Sequence, residues 1–288
     1  MIGLVTYAKE PNLTEDDRPL IDDFASLGLT AAPVRWDDSR ASWLAYDALL
    51  LRSCWDYHLR PTEFANWLTT VEALGVALVN PVNVVRWNMH KKYLRDLEAD
   101  GVVIPETRWI ERGRGERLSE IMKEAGWGAA IVKPAISASA TDTWRVEARA
   151  VDDDRFAALG QRTDVLVQKF VPEVTEAGEW SLIFIDGEFS HAAFKRPKAG
   201  DFRVQIEHGG SAEPATAPGA VVASGAAIAE HIPRGWLYAR IDGVVNNRGF
   251  TLMEVECIEP HLFFGDKPVS RRRLATAIAR TIGQGNTR

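Results

Sequence analysis

Cysteine is nearly absent. Cys54 and Cys257 are the only two in 288 residues, which excludes a disulfide framework and leaves no CxxC pair for redox or zinc chemistry. A reducing, cytoplasmic setting is the expectation. No apolar run reaches the ~20 residues of a membrane-spanning helix; the longest low-polarity stretch, 217–229, is built of small residues and broken by Gly219, Ser224 and Gly225. The opening segment 1–7 has neither a basic leader nor a small-residue cleavage site, so no signal peptide and no membrane partner are expected. Basic excess is missing as well: 34 Lys and Arg stand against 40 Asp and Glu, a net charge of −6, so a dedicated nucleic-acid binder is not expected. Neither a GxxxxGKS/T loop nor a GxGxxG fingerprint occurs, and HExxH and GxSxG are absent too. Zinc-hydrolase and serine-hydrolase readings therefore lose their support.

What is present reads as an α/β chain that turns α+β towards its C-terminus. Apolar runs at 2–7, 31–36, 48–52 and 76–79 read as strands, separated by helical spacing at Leu20, Phe24 and Leu27 and over 61–74. That rhythm predicts a parallel sheet with crossover helices. One helix is expected over 83–97, then a strand at 108–110, a helix at 119–125 and a strand at 129–132. Strands at 165–170, 179–185 and 189–194 follow, the last two joined by a turn at Asp186-Gly187. Phe202, Val204 and Ile206 alternate with polar residues as in a half-buried strand, and helices are expected at 218–231 and 271–282.

The most informative segment is 236–260. Side chains alternate across a strand, so Arg240 and Asp242 share one face, as do Glu254 and Glu256. A three-residue loop, Asn247-Arg248-Gly249, would place Asp242 opposite Glu254 and Arg240 opposite Glu256, whereas a two-residue loop would oppose acids to apolar residues. Three carboxylates on one face repel unless a cation neutralises them, and Mg²⁺ takes such oxygen ligands together with phosphates. The competing reading is a solvated face on which Arg240 pairs with Glu256. Phosphate would call for cations from elsewhere: Lys91 or Lys92 opens a helix, and Lys133 ends a strand before the small-residue run 135–141, whose amides and hydroxyls, including Ser137 and Ser139, suit a phosphate chain.

Taken in order, these features resemble the ATP-grasp ligases: a lysine on the helix after Asn80-Pro81, Lys133-Pro134 at a strand end, the hinge Gln168-Lys169-Phe170-Val171, then Arg203, Asp242, Glu254 and Glu256. Within them the chain is similar to the O-ureido-D-serine cyclo-ligases of D-cycloserine biosynthesis and their relatives, through 52–57, Trp87-Asn88 with Lys91 to Leu94, 178–181, Ser190-His191, 195–198 and 201–205 with Gly209-Gly210. The resemblance implies a Rossmann-like N-terminal domain at 1–82, then a two-lobed module with lobes at 83–167 and 168–288. It implies ATP with one or two Mg²⁺ (or Mn²⁺) and a small amino-acid-like substrate, and it allows a homodimer.

The residue roles it implies are as follows. Lys91 and Lys133 would contact the ATP phosphates, the backbone of Lys169 to Val171 beside Gln168 the adenine edge, and Glu179 the ribose. Asp242, Glu254 and Glu256 would carry the metal, although relatives often have Asn where Glu256 stands. Arg203, with Lys195 and Arg240, would neutralise the transferring phosphoryl group. The reaction implied is ADP-forming activation of a carboxylate as an acyl phosphate for attack by a nitrogen nucleophile, within one molecule in a cyclo-ligase. Joining two molecules, as glutathione synthetase-like relatives do, is the alternative, and a nucleotide-binding protein without turnover is another. Tyr7, Arg52, Asp56, Gly209 and Gly210 are expected on the substrate side, with a structural Arg52-Asp56 pair and an ordinary glycine turn as the competing readings.

Overall fold

The computed structural model describes residues 1–204, 208–265 and 267–285. Its N-terminal part comprises strand β1 (Ile2–Thr6), helix α1 (Leu20–Ser26), β2 (Ala31–Arg35), β3 (Ala48–Ser53), α2 (Pro61–Ala73) and β4 (Ala77–Val79). The four strands form a parallel sheet in the order β2-β1-β3-β4. Every residue of β1 and β3 is buried, as central strands covered on both faces require. On α2, Phe64, Trp67, Leu68 and Val71 form the buried stripe, and Pro61 starts the helix where its missing N–H costs nothing.

Two helices follow, α3 (Val82–Met89) and α4 (Tyr93–Ala99), where the sequence predicts one. The chain leaves helical geometry at His90, with φ −112° and ψ 124°. Tertiary contacts hold the break. The Asn88 side chain donates to the Val255 carbonyl and accepts from the Cys257 amide, each at 2.7 Å, and the Lys91 amide donates to the Ala135 carbonyl at 2.8 Å. A second sheet, antiparallel in the order β5-β8-β6-β7, is built from β5 (Thr107–Ile110), α5 (Leu118–Ala125), β6 (Ala129–Pro134), β7 (Trp144–Glu147), α6 (Asp153–Gly160) and β8 (Val165–Lys169). The sequence pattern misses β7, which is short and half-exposed, and α6, although Asp152 caps it by accepting from the Arg155 amide.

The remaining elements are α7 (Glu173–Glu176), β9 (Glu179–Ile185), β10 (Glu188–Arg196), β11 (Ser211–Ala215), α8 (Gly219–Ala229), β12 (Tyr238–Asn246), β13 (Gly249–Glu256) and α9 (Pro268–Gly285). Their strands form one antiparallel sheet, β11-β10-β9-β12-β13. Phe202 and Val204 lie outside any strand, contrary to the alternation there, and Gln205 and Ile206 fall outside the described residues.

The β12–β13 hairpin has the expected pairs, Asp242 with Glu254 and Arg240 with Glu256, but not the expected loop. Asn246 pairs with Gly249, so the turn holds two residues, and a bulge between Asp242 and Gly243 restores the register by one position. Gly249, at φ +91°, takes the left-handed conformation that the turn demands. Met253 is the inserted residue, so it and Glu254 both line the same cavity, and Met253 packs with Val171, Val174, Val204 and Val244.

One core cluster fuses the two ends of the chain: Ile2, Leu4, Leu20 and Phe24 pack with Leu262, Phe264, Leu274 and Ile278. Hydrogen bonds fasten the parallel sheet to the hairpin sheet. The single proton of the Tyr238 hydroxyl is shared between the carbonyls of Ile258 (2.8 Å) and Leu51 (3.0 Å), and the Asn80 amide donates to those of Tyr238 (2.8 Å) and Cys257 (2.9 Å). The expected division at 167/168 falls inside β8. Among the described residues, no helix is long and apolar enough to cross a membrane.

Candidate active site

A cavity of about 240 Å³ is walled by residues of the two antiparallel sheets, with Trp55 and Tyr57 added from the segment after β3. Strand ends bring the charges there: Lys133 from β6, Glu179 from β9, Lys195 from β10, Arg240 and Asp242 from β12, and Glu254 and Glu256 from β13. Lys91 enters from the break between α3 and α4. It is buried, pairs with Glu254 and donates to the Ser137 carbonyl at 3.2 Å, whereas Lys92 is exposed.

Each carboxylate of the hairpin is paired. Arg240 donates to Asp242 through Nε at 3.0 Å and Nη2 at 2.9 Å, to Glu256, and to the His261 carbonyl at 3.1 Å. Lys195 bridges Asp242 at 2.9 Å and Glu179 at 2.5 Å, and the Ser181 hydroxyl donates to Asp242 at 2.6 Å. Two like charges 4 Å apart near a protein surface repel by about 4 kcal/mol, so the acids can share this wall only with the cations among them.

The titration behaviour follows. Burial would raise the Asp242 carboxyl, but Arg240 and Lys195 outweigh it and hold the group well below the usual carboxylate range. Glu254 is likewise kept below its ordinary value, against burial, by Lys91 and Lys133. Glu256 moves the other way: burial, reinforced by Glu254 and Asp242, pushes it up to about 7 in spite of Arg240. Burial lowers the Lys133 ammonium to about 8, with Glu254 opposing the fall and Lys91 adding to it.

Among the described residues, no three carboxylate, imidazole or thiol groups converge closely enough to hold an ion unaided. The donor set nevertheless suits a hard divalent cation, which takes carboxylate oxygens in company with phosphates. Phosphate oxygens, held also by Lys133, would draw Lys91 and Lys195 off the acids and leave Asp242, Glu254 and Glu256 for the metal.

Of the expected site residues, Lys91, Lys133, Ser137, Ser139, Gln168, Lys169, Phe170, Val171, Glu179, Lys195, Arg203, Arg240, Asp242, Glu254 and Glu256 all line this cavity. Some carry commitments of their own. The Lys169 and Phe170 amides already donate to the carbonyls of Glu106 (2.8 Å) and Ala129 (3.1 Å), which leaves Val171 as the amide of that hinge not donated within the described chain. Glu179 is buried and held by Lys195. Arg203 pairs with its neighbour Asp201 at 2.7 Å instead of reaching the hairpin acids.

The substrate-side expectations need correction. Arg52 is fully buried, donates to Asp17 at 2.8 Å and to the Pro260 carbonyl at 3.0 Å, and does not line the cavity. Asp56 accepts from the Trp36 indole at 2.8 Å and from Arg60 at 2.5 Å, so no Arg52-Asp56 pair exists. These are structural ion pairs, formed because Asp17 and Arg60, distant or unremarked in sequence, are nearer. Tyr7 packs edge-on against Trp55, 6.2 Å between centroids, and Tyr7, Gly209 and Gly210 are not among the cavity's lining. Glu259 and Phe263, which sequence reasoning missed, also line it, as do Asn88 and Tyr57, which stood in the resemblance stretches without an assigned role. An acid inside the otherwise apolar stretch Cys257-Ile258-Glu259-Pro260 is the signal that would have drawn attention to Glu259.

Comparison with known proteins agrees with this arrangement. Residues 102–262 match the family model of the prokaryotic glutathione synthetase ATP-grasp domain, and residues 2–80 match that of the N-terminal domain of the D-cycloserine synthetase DcsG. The cycloserine biosynthesis protein DcsG of Streptomyces lavendulae is 28% identical, the alignment covering 97% of this chain and 98% of that one. A crystal structure of D-cycloserine synthetase DcsG superimposes with a TM-score of 0.87 at 26% identity, over 98% of this chain and 99% of the other. The D-alanine–D-alanine ligase of Bacillus anthracis shares the fold, with a TM-score of 0.70 at 16% identity over 99% and 98%. Enzymes of this kind generally use ATP and Mg²⁺. The chain belongs to the family of the prokaryotic glutathione synthetase ATP-grasp domain, the ADP-forming carbon–nitrogen ligases.

Proposed function

We propose that this ligase activates the carboxylate of a small amino-acid-like substrate with ATP, as an acyl phosphate, and delivers it to a nitrogen nucleophile of the same molecule. The observation that carries the reading is the convergence of four cations, Lys91, Lys133, Lys195 and Arg240, with the hairpin acids about one cavity. Lys91 and Lys133 hold the phosphates, Ser137 and Ser139 border them, and the hinge at Gln168 to Val171 takes the adenine edge. Glu179 reaches the ribose once Lys195 turns to phosphate. Asp242, Glu254 and Glu256 hold one or two Mg²⁺, which would supply charge neutralisation at the transferring phosphoryl group. Lys195, Arg240 and Arg203 add to that neutralisation, and catalysis is chiefly positioning and preorganised charge. On this reading residues 1–82 face the substrate, and the segments 83–167 and 168–288 enclose the nucleotide.

An ADP-release screen over D- and L-amino acids, O-ureidoserine and dipeptides, each with and without added amine, tests it. Turnover with one acid alone, giving a dehydrated cyclic product by mass spectrometry, is the expected result. Strict dependence on a second amine would favour the two-molecule reaction, which the glutathione synthetase domain match also supports. Nucleotide binding with no ADP from any acid would count against a ligase. Glu254→Gln should abolish ADP formation with the fold intact; unchanged turnover would remove the metal assignment.

A further inference from the structure

Glu259 has no part in the roles above, yet it is 7% exposed and lines the same cavity. Among the described residues its carboxylate has no ion-pair partner and no side-chain donor, only its own backbone amide, while Asp242, Glu254 and Glu256 are each paired with a cation. Its backbone is fixed: the Trp55 indole donates to the Glu259 carbonyl at 3.0 Å, and Pro260 follows, its carbonyl held by Arg52. Burial, with Glu256 and Glu254 adding and its own backbone amide and Lys91 opposing, pushes its carboxyl well above the usual range. An uncompensated acid in a closed site costs stability unless a ligand supplies the missing cation.

The surroundings define that cation. Trp55, Tyr57 and Phe263 line the cavity with Glu259, and aromatic faces favour ammonium groups. Trp55 and His261 also wall a second cavity, which carries Glu10, Glu15 and Asp16, so acids border the approach from that side. The hinge expected to take adenine is formed by other residues, Gln168 to Val171 with Val174 and Met253. A carboxylate is an acceptor only, and it suits an N–H donor bearing positive charge.

We infer that Glu259 is the anchor for the substrate's ammonium group and selects acids that carry a free amine. The inference rests on the ligase reading and deepens it, since it defines the substrate as an α-amino or similarly cationic acid. The ammonium lies against Glu259, between Trp55 and the hairpin, which turns the acid's carboxylate towards the metal and phosphate wall.

The test compares the full-length wild-type chain with Glu259→Gln, both loaded with Mg·ADP. Equilibrium binding is measured for D-serine, L-serine and O-ureidoserine, and for the N-acetyl derivative of each. Wild type should bind at least one free amino acid and reject its N-acetyl form; Glu259→Gln should weaken the free amine by about 10- to 100-fold, the range for losing a hydrogen bond to a charged group. Mg·ADP affinity should stay within about threefold. Glu259→Asp, which keeps the charge, should retain part of the preference for the free amine and serves as the comparison if the glutamine variant does not fold. No binding of any amino acid, or binding indifferent to N-acetylation or to both substitutions, overturns the assignment. A loss of Mg²⁺ affinity with amine preference intact also overturns it and makes Glu259 a metal ligand. Failure of wild type to bind Mg·ADP at all defeats the ligase reading itself, and the Glu259 role with it.

Discussion

Lys133 shows how one side chain registers the whole cavity. Its ammonium titrates at about 8 instead of 10.5, so between those values the unfolded chain holds a proton that the folded chain has released. Stability from this group therefore rises with pH across that window, and the cost of burying its charge is felt below about 8. A bound phosphate reverses the balance by favouring the ammonium. Nucleotide binding at pH 9 should accordingly take up protons, read by calorimetry in buffers of different ionisation heat, and Lys133→Ala should bind more weakly and lose that uptake. Equal uptake by the variant would remove Lys133 from the phosphate site. The lysine was legible as a strand-end residue before Pro134; its lowered pKa was not, because it comes first from burial in the folded chain and then from Lys91, which lies more than 40 residues away in sequence.

The β12–β13 hairpin and the α3–α4 break make the corresponding point for elements. Alternation along 238–256 was enough to group the acids, and the pairs Asp242–Glu254 and Arg240–Glu256 formed as the pattern required. The loop did not, because Met253 absorbs the extra residue as a bulge and the turn contracts to two. Deleting Met253 should remove the bulge and keep Asp242 opposite Glu254, since Gly243 already pairs with Leu252; retained ADP formation and Mg²⁺ binding are expected, and loss of both would show that the bulge itself aims Glu254. At the helix break, Asn88→Ala leaves the Val255 carbonyl and Cys257 amide without their partner. A loss of about 1–3 kcal/mol in urea unfolding is expected, with a raised KM for ATP because Lys91 is no longer aimed by the break. A change in stability without a change in KM would separate the two roles. Helical periodicity could not reveal this break, since 83–97 satisfies a continuous helix and only contact with β13 interrupts it.

On the scale of the molecule, the parallel sheet and the hairpin sheet are one cooperative structure, tied by Tyr238, Asn80 and the cluster that joins β1 and α1 to α9. Tyr238→Phe should destabilise the whole chain by about 1–3 kcal/mol in a single unfolding transition, because it removes the link from β12 to the Leu51 carbonyl of β3 and to the Ile258 carbonyl beyond β13. A separate early transition of residues 1–80 would contradict that coupling. Composition determined the absence of a disulfide framework, and local spacing determined the parallel first sheet and the carboxylate hairpin, since these depend on neighbours two to four residues apart; the ordered set of lysines was legible through the family resemblance. Tertiary structure alone decided which acids and cations meet. It withdrew Arg52 into a buried pair with Asp17 and gave Asp56 to Arg60. It drew Lys91 inward in preference to Lys92, and it left Glu259 without an ion-pair partner among the described residues. Pairing and burial are set by distances across the fold, and those follow from packing that no local pattern contains.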